Sequence, residues 1–231
     1  MTHSAPPDVI SDFIRVDPSL AKAASEYPAS ILADVAGRRG TLSSRIAPLA
    51  PTMRISGPAL TVEVRPGDNL MIHAAMAMAK PGDVLVIDGK GDETTALIGE
   101  IMISACMKIG IAGVVIYGSV RDTEAIRALG FPTYAVGANP NGPNKLAPGR
   151  VNWPVSVGGT SVAPGDLIVA DADGVVVIER SKVESVLALA AGKVADETVR
   201  LTQIRSGGQL RPSWLEGALK KAGVVIEGAI A

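Results

Sequence analysis

The chain has 231 residues, 47% of them hydrophobic but only 3% aromatic, and a formal net charge of -1. That length buries a substantial core, here an aliphatic one, while a near-neutral surface and scarce aromatics offer no basic field or stacking platform for nucleic acid or an anionic membrane. A single cysteine, Cys106, excludes an internal disulfide and suits a reducing compartment.

The opening MTHSAPPDV lacks the basic and apolar regions of a secretory signal, so a soluble, cytoplasmic protein is expected. Its first ten or so residues, with two prolines, read as a loose arm within residues 1–17. Residues 18–37 read as helical, broken or kinked at Pro28 and closed by Gly37. Pro48, Pro51 and Pro58 punctuate a loop before a strand over residues 59–65. The tripeptide Pro-Gly-Asp then occurs at residues 66–68, 81–83 and 164–166, each time as a tight turn rather than as an active-site repeat.

From residue 84 to 134 the pattern is strand, helix, strand, helix, strand. The apolar run 84–88 precedes a helix over 99–109, with Ile101, Met102, Ala105 and Ile109 expected on its buried side. Residues 113–117 form the next strand, 122–129 the next helix and 132–136 a third strand. Continuous apolar runs alternating with helices are the signature of buried parallel strands. A Pro/Gly/Asn-rich connection, 139–154, leads to short strands at Val155–Val157, 167–170 and Gly174–Ile178. A long helix over 181–206, ended by Gly207 and Gly208, a last helix near 212–222 and an apolar tail finish the chain. The whole, 1–231, reads as one domain with a C-terminal helix and tail from 207. Apolar positions on the C-terminal helices are expected to pack between copies of the chain.

Two dipeptides carry the chemistry. Gly99–Glu100 and Arg121–Asp122 stand at the carboxyl ends of consecutive strands, where open α/β sheets bind ligands, and so share one crevice. The helix starting near Glu100 presents unpaired N–H groups at Glu100, Ile101 and Met102, a cradle for a carboxylate that Gly99 lets approach. Arg121 suits a carboxylate or enolate oxygen, and Asp122 a hard divalent cation with Glu100 on one of its waters. The plainer alternatives are a helix-capping Asp122, a Glu100 drawn to a helix dipole and an Arg121 in a surface ion pair. Lys90, in a loop of sequence DGKGDE, is expected to be solvated rather than a Schiff-base nucleophile. His73 lies four residues beyond Asn69 on the same helix face, within reach of the pocket, but is expected to be buried in a structural role; His3 is expected to be inert and Cys106 part of the core. Asp171 and Asp173 read as a tight turn and not as a calcium loop. Walker and dinucleotide fingerprints are absent.

The segments PGDNLMIHAAMAMAKPGDVLVIDG, GEIM, GVVIYGSVRD and ADADGVVVI, in that order across residues 30–207, resemble one family. It holds the 4-hydroxy-4-methyl-2-oxoglutarate / 4-carboxy-4-hydroxy-2-oxoadipate aldolases and the related regulator of ribonuclease activity A. The resemblance implies a β/β/α sandwich of the swivelling phosphohistidine-domain type with flanking N- and C-terminal helices. It also implies trimers or hexamers with the active site at a subunit interface. Its activity would be that of a class II pyruvate aldolase using Mg2+ or Mn2+, with oxaloacetate decarboxylation as a companion. By matching motifs, Asp122 would ligate the metal, Glu100 would hold metal-bound water, and Arg121 would stabilise a pyruvate enolate. The amides around Gly99, Glu100, Ile101 and Met102 would bind the pyruvyl carboxylate, and Asn69 and Asp68 would line the pocket. Asp34 and Glu197 match acidic positions lent across the subunit boundary, Glu197 supporting the base that deprotonates the C4 hydroxyl. Two positions depart from the aldolase pattern, Glu100 standing for Asp and Asp34 for Glu. Each changes reach by one methylene, which contacts through water tolerate better than direct coordination. The regulator branch implies a rival role, a non-catalytic protein that binds a ribonuclease or helicase; retention of both Arg121 and Asp122 favours the catalyst.

Overall fold

A computed structural model describes residues 6–208 and 210–225; His3 and the apolar tail from residue 226 lie outside the described residues. Two compact units divide at Ala190–Ala191, within the long C-terminal helix.

The first unit opens with two short helices, α1 (Pro18–Ala24) and α2 (Ala29–Val35), separated as expected at Pro28, which takes the N-cap position of α2. Asp17 caps α1 by accepting the Ser19 N–H. A bridge-like strand β1 (Ala47–Pro48) precedes β2 (Ile55–Glu63), α3 (Leu70–Met78), β3 (Val84–Ile98) and α4 (Glu100–Ile109). Then come β4 (Gly113–Val120), α5 (Thr123–Leu129), β5 (Thr133–Ala138) and the short strands β6 (Arg150–Val151), β7 (Val155–Val157) and β8 (Thr160–Val162). The hairpin β9 (Leu167–Asp171) and β10 (Gly174–Ile178) follows, and a 3-10 turn leads into α6 (Val183–Arg205). All three Pro-Gly-Asp tripeptides are tight turns, with Gly67, Gly82 and Gly165 at positive φ.

The main sheet runs β1-β5-β4-β3-β2-β9-β10, with β6 also on β2. The expected parallel core is present: β2, β3, β4 and β5 are mutually parallel neighbours. β2 begins earlier than the prolines suggest, because its residues Ile55 to Pro58 pair antiparallel with β9 and only Ala59 to Glu63 pair with β3. Pro58 stands where the strand changes partner, a position that tolerates the missing N–H. Opposite faces of the sheet are buried differently. Ile72 and Met76 of α3, Met102, Ile103 and Cys106 of α4 and Ile126 of α5 pack on Leu60, Leu85, Ile87, Val114 and Ile116. On the other face Val155, Val157, Val162, Ile168, Val175 and Val177 pack with Ala59, Val84, Val86, Val115 and Tyr134. The result is a mixed α/β fold with one large mixed sheet and helices beside it.

Three expectations change. The described part of the N-terminal arm is anchored between residues 7 and 15: Pro7 O accepts from Trp153 Nε1, Ile10 N–H donates to Val151 O, and Arg15 grips Asp83 through Nε (2.6 Å) and Nη2 (2.8 Å). Ile101 is 84% exposed, because Met102, Ile103 and Cys106 take the buried face of α4. Lys90 is within β3, at φ +61°, because the strand continues beyond Asp88 through a series of register shifts.

The second unit holds the end of α6 and a last helix α7 (Leu215–Lys221). Arg200 donates to Leu210 O, Arg211 pairs with Glu216 at 2.9 Å, and Val199, Leu201 and Trp214 are exposed.

Candidate functional site

The site grows out of the way β3 and β4 end. Gly99 is the N-cap of α4 in extended conformation, so the first amides of α4 point outward beyond the strand. One strand over, Asp122 is the N-cap of α5 but adopts the left-handed region (φ 57°, ψ 37°) and makes no side-chain capping bond to its own helix. Asp tolerates that conformation at a cost of order 1 kcal/mol, and such strain concentrates at functional positions. The twist sends the carboxylate sideways: Oδ2 accepts the Glu100 N–H at 3.0 Å and lies 3.7 Å from Arg121 Nε. Capping therefore runs across the two turns rather than within one.

Gly99 is required here for space and not for its φ. A Cβ at this position would collide with Asp122 Oδ2 and press on Arg121 Cγ at 3.0 Å. The glycine expected to admit a ligand also admits its neighbour's carboxylate. Because Glu100 N–H is committed to Asp122 and Met102 N–H donates to Gly99 O (3.1 Å), the expected cradle of three amides narrows to Ile101 N–H.

These groups open on a cavity of about 260 Å³ lined by residues of α3, β3 and α4 and of the turn after β4, together with Pro143 and Lys145. That volume suits a small organic acid better than a drug-sized or nucleotide ligand. Two wider clefts, near 540 and 550 Å³, lie elsewhere and contain neither dipeptide. Asn69, Gly99, Ile101, Met102, Arg121 and Asp122 all line the small cavity. Asn69 is almost fully buried, its Nδ2 donating to Leu97 O at 2.9 Å while Oδ1 has no partner among the described residues. The Glu100 side chain is exposed at the start of α4 and outside the lining set. Asp34, on α2, is 3.8 Å from Arg38 Nε and outside that set as well. Glu197, on α6, pairs with Lys193 at 3.2 Å.

Among the described residues no group of three or more His, Cys, Asp or Glu side chains is placed to hold a metal. The cavity instead offers one carboxylate, Asp122, whose Oδ1 has no partner among the described residues. A lone carboxylate suits Mg2+ or Mn2+, which keep several waters and accept oxygens from a chelating ligand, and does not suit a closed zinc site.

Residues 10–177 match the family model described as RraA-like, Aldolase/RraA. The chain belongs to the RraA-like family. A Halalkalibacterium halodurans protein named "Putative 4-hydroxy-4-methyl-2-oxoglutarate aldolase" is 43% identical over 173 residues, covering 75% of this chain and 82% of that one. Among solved structures, Streptomyces coelicolor RraAS2, described as an unusual member of the RNase ES inhibitor RraA family, is 28% identical with a TM-score of 0.75. It covers 82% of this chain and 99% of that one. The RNA-processing inhibitor RraA from Thermus thermophilis is 30% identical with a TM-score of 0.61, over 65% of this chain and 92% of that one.

Sequence reasoning missed part of this RraA-like site. The connection after β5 is a strap tied down at both ends. Asn139 Nδ2 donates to Glu93 O (2.9 Å) and Asn141 Nδ2 to Thr94 O (3.0 Å). Further on, Asn69 N–H donates to Asn144 O and Asn144 N–H to Gly67 O. Asp68 does not line the cavity; it fastens the strap, its Oδ2 accepting the N–H groups of Leu146 (2.7 Å) and Ala147 (3.0 Å) and its Oδ1 that of Leu70. Burial pushes the Asp68 carboxyl upward, but those three N–H donors outweigh it and hold the pKa below the ordinary value. The strap thereby brings Pro143 and Lys145 to the cavity, and Gly142 against the Arg121 guanidinium. The available signal was the recurrence of Asn in ANPNGPN, whose side chains bond to backbone. His73 is exposed and lines the cavity beside Asn69, the alternative to the buried role expected of it, because Met71, Ile72, Ala75 and Met76 take the inner face of α3.

Lys90 has two carboxylate partners, Asp88 Oδ2 and Glu63 Oε1, both at 2.7 Å. Desolvation pulls its pKa down, yet these hydrogen bonds prevail and the net shift is upward, the wrong direction for a nucleophilic amine. Cys106 is fully buried, its thiol pushed up to about 12 by desolvation, which keeps it an inert core residue. Asp171 forms the turn before β10, accepting from Asp173 N–H, and ties down α2 by accepting from Ala29 N–H. Among the described residues no helix is long and apolar enough to cross a membrane.

Proposed function

We propose that this protein is a divalent-metal-dependent retro-aldol lyase acting in the cytoplasm. It would cleave 4-hydroxy-4-methyl-2-oxoglutarate or 4-carboxy-4-hydroxy-2-oxoadipate to release pyruvate, with decarboxylation of oxaloacetate as a companion activity. The observation that carries the reading is the convergence of Arg121, Asp122 and the amide end of α4 on one small cavity, with Asp122 turned away from its own helix. Family membership and the 43% identical aldolase-named relative support it.

Held by Asp122, with Glu100 touching one of its waters, Mg2+ or Mn2+ would supply an electron sink and a chelation point for the carboxylate and keto oxygen. The chain's own groups do the remainder. Ile101 N–H and the positive end of α4 hold the pyruvyl carboxylate. Arg121 pairs with the keto oxygen and strengthens that contact as negative charge develops there. The C4 hydroxyl proton passes to a base supported by Glu197, with Asp34 nearby, both lent by a neighbouring copy in a homotrimer or homohexamer. The C3–C4 bond then breaks, its electron pair passing into the enolate, and protonation at C3 gives pyruvate. In oxaloacetate the bond to the departing CO2 delivers its electrons to the same place. A swivelling phosphohistidine-domain type of fold is part of this reading, as is the absence of nucleic acid among its partners.

Pyruvate release from 4-hydroxy-4-methyl-2-oxoglutarate and from oxaloacetate, with Mg2+ and then with excess EDTA, tests the proposal. Release from both, abolished by EDTA, is the expected result. No release from folded, metal-supplied protein would overturn it. That outcome would favour the second reading, a non-catalytic regulator that binds a ribonuclease or helicase, which the inhibitor names of the two solved relatives support.

A further inference from the structure

The strap adds a cation that the reaction as described leaves unused. Lys145 lines the cavity, and none of the described residues is an ion-pair or hydrogen-bond partner of its ammonium group. Its backbone is fixed all the same. Asn144 before it exchanges bonds with Asn69 and Gly67, and Leu146 and Ala147 after it are gripped by Asp68. A side chain with a free charge on an anchored backbone loses little further entropy when it meets a ligand.

Charge and layout say which ligand. Arg121 and Lys145 are the two cations of the lining and Asp122 its one carboxylate, so the cavity is positive even before a divalent ion is added. A ligand with one carboxylate leaves that excess unmatched, and one with two carboxylates matches it better. The strap also sets a direction. Gly142 lies against the guanidinium of Arg121, at the end of β4, while Lys145 lies where the strap is tied to the start of α3. The two points are three positions apart in the chain, a reach of at most roughly 10 Å. A short dicarboxylate can bridge such a gap once side-chain length is allowed for, with apolar Leu97, Ile98 and Met102 in the same lining to meet its carbon chain.

We infer that Lys145 is a specificity-determining residue that receives the far carboxylate of a dicarboxylic 2-oxo acid whose near end is held at Arg121 and the start of α4. This rests on the 2-oxo acid reading given above and extends it from the reacting end of the substrate to the other end. Asp68 is a positioning residue for the contact, acting through the strap.

Two five-carbon probes separate the ends of the site. 2-Oxoglutarate and 2-oxopentanoate share the 2-oxo acid group and differ in having a carboxylate or a methyl group at C5, and neither carries the C4 hydroxyl needed for cleavage. Their binding to the full chain with Mg2+, measured by calorimetry, is compared between the wild type, Lys145→Gln and Lys145→Arg. Wild type should prefer 2-oxoglutarate by about 10-fold, the size of one partly exposed charge-assisted hydrogen bond. Lys145→Gln should lose that preference, with 2-oxopentanoate changed by no more than about threefold, and Lys145→Arg should keep most of it. Equal weakening of both probes, or an intact preference in Lys145→Gln, would overturn the role of Lys145 and leave the 2-oxo acid site standing. Failure of both probes to bind wild type in the presence of Mg2+ would overturn the site and this inference together.

Discussion

The two halves of β3 behave as different materials. From Val84 to Asp88 the strand pairs residue for residue with β2 on one side and β4 on the other, and Val84, Leu85, Val86 and Ile87 are fully buried. Beyond Asp88 the pairing with β4 shifts register between Asp88 and Asp92, again before Ala96 and again before Ile98. Lys90 and Gly91 take positive φ there, and most side chains from Lys90 to Thr95 face outward or are half-buried. The regular half holds the sheet together, and the irregular half spends regular pairing to place Gly99 and the strap. Bulges re-aim a strand, and they are found next to active sites for that reason.

If the division of labour holds, damage to each half should be felt in a different assay. The largest effect is expected from Asp122→Ala, with pyruvate release falling about 1,000-fold or more while chemical denaturation shifts by less than about 1 kcal/mol. Wild-type turnover in that variant would sink the metal assignment. Leu85→Ala, in the regular half, should do the reverse and cost about 3 kcal/mol of stability, with the KM of the surviving folded protein unchanged. Gly99→Ala should lower turnover by roughly 10- to 100-fold at near-native stability, since its methyl group displaces Asp122 and Arg121 rather than core residues. Full activity there would show that the close approach of the two turns is incidental.

Acid should act on the strap next. The Asp68 pKa is depressed in the folded state, so its contribution to stability is complete above the unfolded value of about 3.9 and is lost as pH falls through the folded value. Hydrogen exchange at Leu146 and Ala147 should therefore rise, relative to the rest of the sheet, below about pH 4. Asp68→Asn should bring that looseness to neutral pH. The smallest effect is expected at Lys90, where borohydride with pyruvate should leave no covalent adduct, because both 2.7 Å carboxylate partners keep the amine protonated.

How much was legible in advance follows the same line. The parallel core could be read because its strands are uninterrupted apolar runs, and the two candidate-site turns because strand ends are where helices begin. Pro58 and Lys90 misled for one reason: each sits in a strand that changes partner or register, and composition registers the residue but not the switch. Ile101 was misplaced because a helix of ten residues has room for two adjacent apolar stripes, and the tertiary partner selects one of them. Lys145 could not be found from its own surroundings, since what brings it to the cavity is Asp68, far away in the chain.

Arg15 has a practical bearing on how this protein can be handled. Its guanidinium is the cation on Asp83, which is 1% exposed and also accepts the Lys80 N–H in the turn that launches β3. Trimming the chain to begin at α1 would strand that carboxylate without a counter-charge, a defect typically costing about 3–5 kcal/mol. Expression variants should therefore keep Arg15 and carry any purification tag upstream of Pro7, whose carbonyl is already held by Trp153.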